Sequence, residues 1–201
     1  MCCHKHIEDS KAMGRKFTAA IGWWRVWTVF LLATSMVQHA FPADEKVPRE
    51  YQLKAAFLFN FTKFVEWPTQ SFAIVESPVV IGVLGKNPFG NELENAVKAR
   101  TINGRPLLVK FLTTIESARE VQLLFVAQDY DQQKELFIAL KHTNVLTVGE
   151  SESFAKQGGI ITLTLEGDKL RFEINMDSAD EAKLKISAQL QKLATAVRRQ
   201  P

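Results

Sequence analysis

Short apolar runs that alternate with helical segments constrain the fold of this chain more than any other feature. Residues 78–85, P-V-V-I-G-V-L-G, are almost all apolar and lie between turn signals, which is typical of a strand buried on both faces. Further strands are predicted at residues 107–112, 121–126 and 145–148, with helical segments after the first and third strands. Such alternation favours right-handed β-α-β units. We therefore predict an α/β fold with a mostly parallel sheet covered by helices on both faces.

The end of the chain has a different pattern. Residues 160–165 and 170–174 each alternate apolar and polar side chains, and a Gly-Asp turn signal separates them. They predict an antiparallel C-terminal hairpin at the edge of the sheet. A last helix is predicted over residues 178–197, either unbroken or with a break that lets Ser187 cap a shorter helix.

The segment that opens the predicted domain, residues 51–68, has the spacing of a helix that ends at a proline. One face carries six apolar residues: Leu53, Ala56, Phe57, Phe61, Phe64 and Trp67. Asn60 lies in the middle of that face, whereas Leu58, Phe59 and Val65 lie off it. Such a helix is either buried on several sides or presents a surface to a partner. On the second alternative, Leu58, Phe59 and Val65 are the candidate partner-binding residues.

The first 43 residues have the pattern of a secretory signal peptide. Basic residues precede an apolar run at residues 26–37, and a short polar stretch follows it. The run is shorter than the roughly 20 residues that span a bilayer. We predict a cleaved signal peptide at residues 1–43, a single domain at residues 44–201 and a periplasmic location. An uncleaved anchor and a buried helix are the alternatives.

The signal segment also carries the excess positive charge and both cysteines. The whole chain has 25 Lys+Arg and 22 Asp+Glu, and residues 1–43 hold five of the former and two of the latter, so residues 44–201 have 20 of each. No basic block remains to indicate a nucleic-acid partner. Since Cys2 and Cys3 lie in the signal segment, the mature chain would have no disulfide and no cysteine metal site.

Motifs for catalysis are missing from the sequence. It has neither the G-x-G-x-x-G fingerprint nor a phosphate-binding loop, and G-E-S-E-S at residues 149–153 lacks the last glycine of a nucleophile elbow. Glu150 and Glu152, like Asp129 and Asp131, have the pattern of solvated loop residues. His142 is predicted to lie on the surface. We predict no catalytic residue, no metal site and no cofactor.

A binding crevice is the chemistry that remains. Ligands of parallel α/β proteins sit at the carboxyl ends of the strands, where glycines allow close approach of the backbone and Phe89 can stack on a ring. The candidate ligand-binding residues at these exits are Gly85, Asn87, Phe89, Gly90, Asp129 and Ser151. Structural turns are the alternative explanation of the same residues.

Five segments, in order, give the chain a family resemblance. They are K-A-A-F-L-F-N-F-T-K-F-V-E-W-P at residues 54–68, V-L-G-K-N-P-F-G at 83–90, N-V-L-T-V-G-E at 144–150, L-R-F-E-I-N at 170–175 and L-K-I-S-A-Q-L-Q-K-L-A at 184–194. No one of them is chemically diagnostic, but the ordered set resembles the YfiR-like family, from about residue 52 to residue 197.

The resemblance implies a non-enzymatic periplasmic protein that binds the periplasmic sensor domain of an inner-membrane diguanylate cyclase and inhibits cyclic-di-GMP synthesis. It also implies an outer-membrane lipoprotein that relieves the inhibition, and we expect a homodimer. The characterised relative uses disulfides in redox sensing, which the mature chain here could not form. A periplasmic small-molecule binding protein, or an accessory sensor for another membrane receptor, is the alternative.

Overall fold

An eight-stranded sheet forms the centre of the computed structural model, which describes residues 47–199. The strands of the described chain are β1 Val65–Glu66, β2 Val79–Leu84, β3 Thr101–Ile102, β4 Arg105–Leu112, β5 Leu123–Val126, β6 Leu146–Gly149, β7 Ile161–Glu166, β8 Lys169–Asn175, β9 Lys185–Ile186 and β10 Ala196–Arg198. Their order across the main sheet is β10-β8-β7-β6-β5-β2-β4-β3, and β1 pairs with β9 in a separate ribbon.

Helices cover this sheet. The α-helices of the described chain are α1 Arg49–Phe64, α2 Glu92–Val97, α3 Gln133–Leu140, α4 Met176–Glu181 and α5 Ala188–Leu193. Short 3₁₀ helices lie at Thr69–Ser71, Glu116–Glu120 and Ala155–Gln157. The predicted signal peptide at residues 1–43 lies outside the described residues.

The five strands β4, β2, β5, β6 and β7 are parallel neighbours. In chain order they stand second, first, third, fourth and fifth, which is the doubly wound order whose direction reverses between β2 and β5. Every residue of β2 is buried, because the sheet has packed side chains on both faces. The predicted α/β class with a mostly parallel sheet is confirmed.

The C-terminal region completes the sheet. β7 and β8 form the predicted antiparallel hairpin, and β10 then adds to β8 as a short parallel strand in a segment that the sequence assigned to a helix. The unbroken last helix is wrong: α4, β9 and α5 occupy that stretch. Ser187 caps α5 by accepting a hydrogen bond from the Leu190 amide at 3.2 Å, so the alternative with a break is the correct one.

Packed side chains form a core on each face of the sheet. The larger core joins α1, α2, α4 and α5 to β2, β5 and β7. The smaller core joins α3 and the 3₁₀ helix at Glu116–Glu120 to the opposite face of the same sheet. Because α1 contacts α2, α5 and β8, it is enclosed on several sides.

Three predictions about this helix are corrected. Leu58, Phe59 and Val65 have exposed fractions of 0%, 6% and 4%, so the expected exposed patch at these three side chains is wrong. Asn60, expected on the buried face, is exposed. The helix also ends at Phe64 rather than at the proline, because Val65 leaves the helix to pair with Ile186 of β9.

Candidate functional site

The candidate site lies at the carboxyl ends of β2, β5 and β6, where the strand order reverses. The loops that leave these strands begin at Gly85, Ala127 and Glu150. The first turns of α1 reach the same place, because the Tyr51 and Lys54 side chains contact Glu150. The position is therefore the one where doubly wound proteins bind ligands.

A buried ion pair occupies the centre of this site. Lys54 and Glu150 have side chains that are only 3% and 5% exposed, and the Lys54 ammonium donates to Glu150 Oε2. The same ammonium lies 2.5 Å from Glu50 Oε1, one helical turn earlier on α1. Glu150 Oε1 also accepts a hydrogen bond of 3.0 Å from the Gln128 amide. These partners offset the desolvation of two buried charges, and loss of one partner from such a pair costs about 3–5 kcal/mol.

Tyr51 completes the cluster. Its hydroxyl donates to Glu150 Oε1 at 3.4 Å, and its ring lies 4.4 Å from the Lys54 ammonium. Burial of the phenol, followed by the negative charges of Glu150 and Glu50, raises the pKa of Tyr51 to about 12. Tyr51 therefore stays a neutral donor throughout the physiological range.

Two of the predicted ligand-binding residues hold the loop after β2 against the loop after β5. Both carboxylate oxygens of Asp129 lie 3.3 Å from the Lys86 amide, which donates to them. Gly85 has φ +101°, and a Cβ atom there would lie 2.9 Å from Asp129 Oδ1. The glycine is therefore required by a close approach within the protein.

The loop after β2 is closed by its own contacts. The Asn87 side chain accepts from the Phe89 amide at 2.9 Å and donates to the Gly90 carbonyl at 3.0 Å. Phe89 is fully buried, with its ring centre 4.8 Å from that of Phe125 and 5.7 Å from that of Tyr51. The expectation that Phe89 stacks on a ligand ring is wrong in this structure, because aromatic neighbours already enclose the ring.

Ser151 lies apart from these loop contacts. Its hydroxyl donates to Gln133 Oε1 at 3.1 Å, which joins the loop after β6 to the first turn of α3.

Gly90 has φ +53°, and a Cβ atom there would lie 2.8 Å from the Val47 side chain. The predicted residues thus lie along one edge of the sheet, where each has a structural contact, and ligand binding by those other than Phe89 stays a prediction.

Lys54 was not predicted to be a site residue, and Glu150 was wrongly predicted to be a solvated loop residue. A signal was present for both. Glu50 and Lys54 are four residues apart, and Lys54 is followed by apolar residues. Glu150 directly follows a buried strand, at the edge of the sheet where polar side chains converge.

A groove lies away from this cluster, between α3 and α4. Its volume is about 280 Å³, and Phe137, Leu140 and Ile160 contribute apolar walls. Lys134 and Lys141 lie at the same groove, together with Glu181, whose carboxylate is 3.9 Å from the Lys141 ammonium. A groove of this size and mixed lining is near the lower end of the range for small-molecule sites.

Within residues 47–199, no group of three or more His, Cys, Asp or Glu side chains is placed to hold a metal ion. His142 is on the surface as predicted, with a side chain that is 73% exposed. In the same described range, no helix is both long enough and apolar enough to cross a membrane.

The chain is similar to known proteins in its sequence and in its fold. A family model described as YfiR/HmsC-like matches residues 51–195. No curated protein matches the chain. The fold is similar to that of a conserved domain protein from Vibrio cholerae O1 biovar El Tor strain N16961, at 12% identity and a TM-score of 0.52, over 72% of this chain and 60% of the other. The ABC domain in complex with L-Trp from Streptococcus pneumoniae gives 12% identity and a TM-score of 0.49, over the same shares. At such identity the Vibrio structure supports the fold alone, and this chain spans 60% of its length.

Proposed function

The chain belongs to the YfiR/HmsC-like family, and on this premise we propose that it is a periplasmic regulator of cyclic-di-GMP signalling that acts by binding rather than by turnover. Its proposed target is the periplasmic sensor domain of an inner-membrane diguanylate cyclase, which it inhibits. The extent of the family match carries this proposal, because residues 51–195 include almost all of the described domain. An outer-membrane lipoprotein that relieves inhibition and a second copy of the chain are further proposed partners.

The form of the candidate site supports binding through another surface. The strand exits where a doubly wound protein would hold a ligand are filled by Phe89 and by the pair of Lys54 and Glu150. These contacts fix α1 to the sheet, which gives a partner a preorganised surface to bind. Preorganisation lowers the entropy cost of association.

Inhibition of this kind follows from differential affinity. A regulator that prefers the inactive conformation of its target shifts the equilibrium only by the ratio of its two affinities. A preference of about 100-fold is worth about 2.7 kcal/mol, which is enough to silence a cyclase poised near balance. No chemical step by this chain is needed.

Deletion of the gene in its native host tests the proposal. We expect cyclic-di-GMP, measured by mass spectrometry of cell extracts, to rise on deletion and to return when the gene is supplied on a plasmid. The rise should disappear in a strain that also lacks the membrane cyclase with a periplasmic sensor domain. An unchanged level after deletion would contradict the proposal.

A small-molecule binding protein, or an accessory sensor for another membrane receptor, is the second candidate. The groove between α3 and α4, with apolar walls and lysines beside them, is the observation that favours it. Native mass spectrometry of protein purified from the host would detect a bound molecule. Two results together would favour this candidate over the first. They are a co-purifying molecule that the Phe137→Asp variant no longer binds, and unchanged cyclic-di-GMP after deletion of the gene.

A further inference from the structure

Among residues 47–199, no strand pairs with the outer edge of β4 beyond Pro106. On its inner side β4 pairs with β2 from Leu107 to Leu112. On its outer side it pairs with β3 only at Arg105 and Pro106, and the Leu107 amide then donates to the Arg100 carbonyl. Because backbone groups alternate in direction along a strand, the amide and carbonyl groups of Val109 and Phe111 point outward, as those of Leu107 do.

Apolar side chains flank this open backbone. Leu108 and Phe111 are each 48% exposed, on opposite faces of the strand. Val109 is partly buried against the larger core, and Leu112 belongs to the smaller one. An open edge with apolar side chains is a template for another strand, and natural proteins commonly guard such an edge with a lysine. Lys110 is exposed in the middle of this one.

All charged residues of the segment around this edge are basic. Residues 98–115 contain Lys98, Arg100, Arg105 and Lys110 but no Asp or Glu. Arg100 lies over the Phe59 ring at 4.4 Å, and Arg105 donates to the carbonyls of Ile74 and Ser77. None of the four forms an ion pair within residues 47–199. Lys98 and Lys110 are exposed, so their positive charge can meet a partner, in a domain whose residues 44–201 have no net charge.

We propose that the outer edge of β4, residues 107–112, is a docking site for an extended acidic segment of a partner protein, which adds to the sheet as a further strand. Backbone groups of Val109 and Phe111 supply the hydrogen bonds, and Leu108 and Phe111 supply apolar contacts on the two faces. A carboxylate of the incoming strand pairs with Lys110. The inference rests on the proposed function in that the regulated protein would supply this strand.

Charge selects this occupant over a second copy of the chain. If the β4 edges of two copies paired about a two-fold axis, two segments whose charged residues are all basic would meet. Repulsion between like charges opposes such pairing. An acidic strand faces no such repulsion. Hydrogen exchange separates an acidic strand from a second copy of the chain, because either occupant would protect the backbone amides of β4 but only the second copy would do so without added peptide.

The first experiment uses synthetic peptides and the purified protein labelled with ¹⁵N. One peptide alternates valine with glutamate, and its matched control alternates valine with lysine. We expect the glutamate peptide, and not the lysine peptide, to slow hydrogen exchange at the Val109 and Phe111 amides. Exchange that slows at these amides as protein concentration rises, with no peptide present, would overturn the proposal in favour of self-association. Changes confined to amides elsewhere would also overturn it.

Charge reversal gives the second arm. We expect Lys110→Glu to weaken binding of the glutamate peptide by about fivefold or more, since an attraction becomes a repulsion, and to permit binding of the lysine peptide. Lys192→Glu, on the exposed surface of α5, is the matched control and should bind the glutamate peptide as the unaltered protein does. Equal affinity of the Lys110→Glu and Lys192→Glu variants for the glutamate peptide would overturn the proposal.

A cellular measurement separates this inference from the proposed function. If deletion raises cyclic-di-GMP and Lys110→Glu raises it as well, both stand. If deletion raises the level but Lys110→Glu leaves it at the normal value, the docking site is overturned while the proposed function remains. If deletion has no effect, the proposed function fails, and the peptide measurements alone decide whether the β4 edge accepts an acidic strand.

Discussion

Burial of an ammonium group is costly unless hydrogen-bond acceptors surround it. Lys54 meets that condition through Glu50 and Glu150, and Glu150 in turn accepts from the Gln128 amide and from Tyr51. These contacts join α1 to the ends of two strands. Any substitution that leaves one of these charges buried and unpaired should lower the free energy of unfolding.

Tyr51 gives this cluster a measurable titration. The chain has two tyrosines, so Tyr130→Phe leaves Tyr51 as the only one. With its pKa raised to about 12, Tyr51 should be only about a tenth ionised at pH 11, where a tyrosine of ordinary pKa is about nine-tenths ionised. Ultraviolet absorbance of tyrosinate measures the fraction, with circular dichroism to establish that the protein is folded.

The sign of the linkage follows from the same shift. Because folding raises the pKa, Tyr51 contributes stability below about pH 10, and this contribution is lost as the pH rises toward 12. Glu150→Gln, which removes one of the charges that raise it, should lower the pKa. Half-ionisation near pH 10 in folded protein would show that Tyr51 is not held in this cluster.

At the scale of elements, α1 shows why a helix with apolar residues almost all round is hard to orient from its sequence. Its apolar residues give little preference for one direction, so its neighbours α2, α5 and β8 decide which side chains are enclosed. Phe59 illustrates the result. Helical spacing predicts that Phe59 lies off the main apolar face, yet it is 6% exposed, with Lys63 and Arg100 over its ring.

A series of three consecutive residues tests this orientation. We expect Phe59→Ala and Phe61→Ala each to lower the free energy of unfolding by about 3–5 kcal/mol, because each truncates a side chain enclosed in the larger core. Asn60→Ala is the matched control and should change it by no more than about 0.5 kcal/mol, since Asn60 is exposed. Urea unfolding measures all three. A loss at Asn60 as large as that at Phe59 would mean that the helix is rotated from the position described.

Elements with strong local signals could be predicted, and those that depend on distant partners could not. The continuous apolar run of β2 and the alternation in β7 and β8 are visible in the sequence. The pairing of Val65 with Ile186 joins residues far apart in the chain, and no local pattern announces it. The same limit applies to the candidate site, since Lys54 and Glu150 are brought together only by the complete fold.

At the scale of the whole molecule, the distribution of charge and of cysteine separates the predicted signal peptide from the domain. Residues 44–201 have 20 basic and 20 acidic residues, so the basic segment at the β4 edge is balanced by acidic residues elsewhere. This asymmetry would allow the proposed acidic strand to be attracted to one edge of the domain without a general affinity of the domain for anions. Stability without covalent cross-links then falls to the two cores on either face of the sheet.

The last prediction concerns that absence of cross-links. Both cysteines, Cys2 and Cys3, lie within the predicted signal peptide, so the protein secreted by its host should melt at the same temperature with and without dithiothreitol. Mass spectrometry of the same sample is the control that establishes which residues are present. We expect the secreted chain to begin after Ala40 or Ala43. A melting temperature that falls by several degrees on reduction would show that the cysteines are retained and bonded. Such a result would contradict the predicted cleavage.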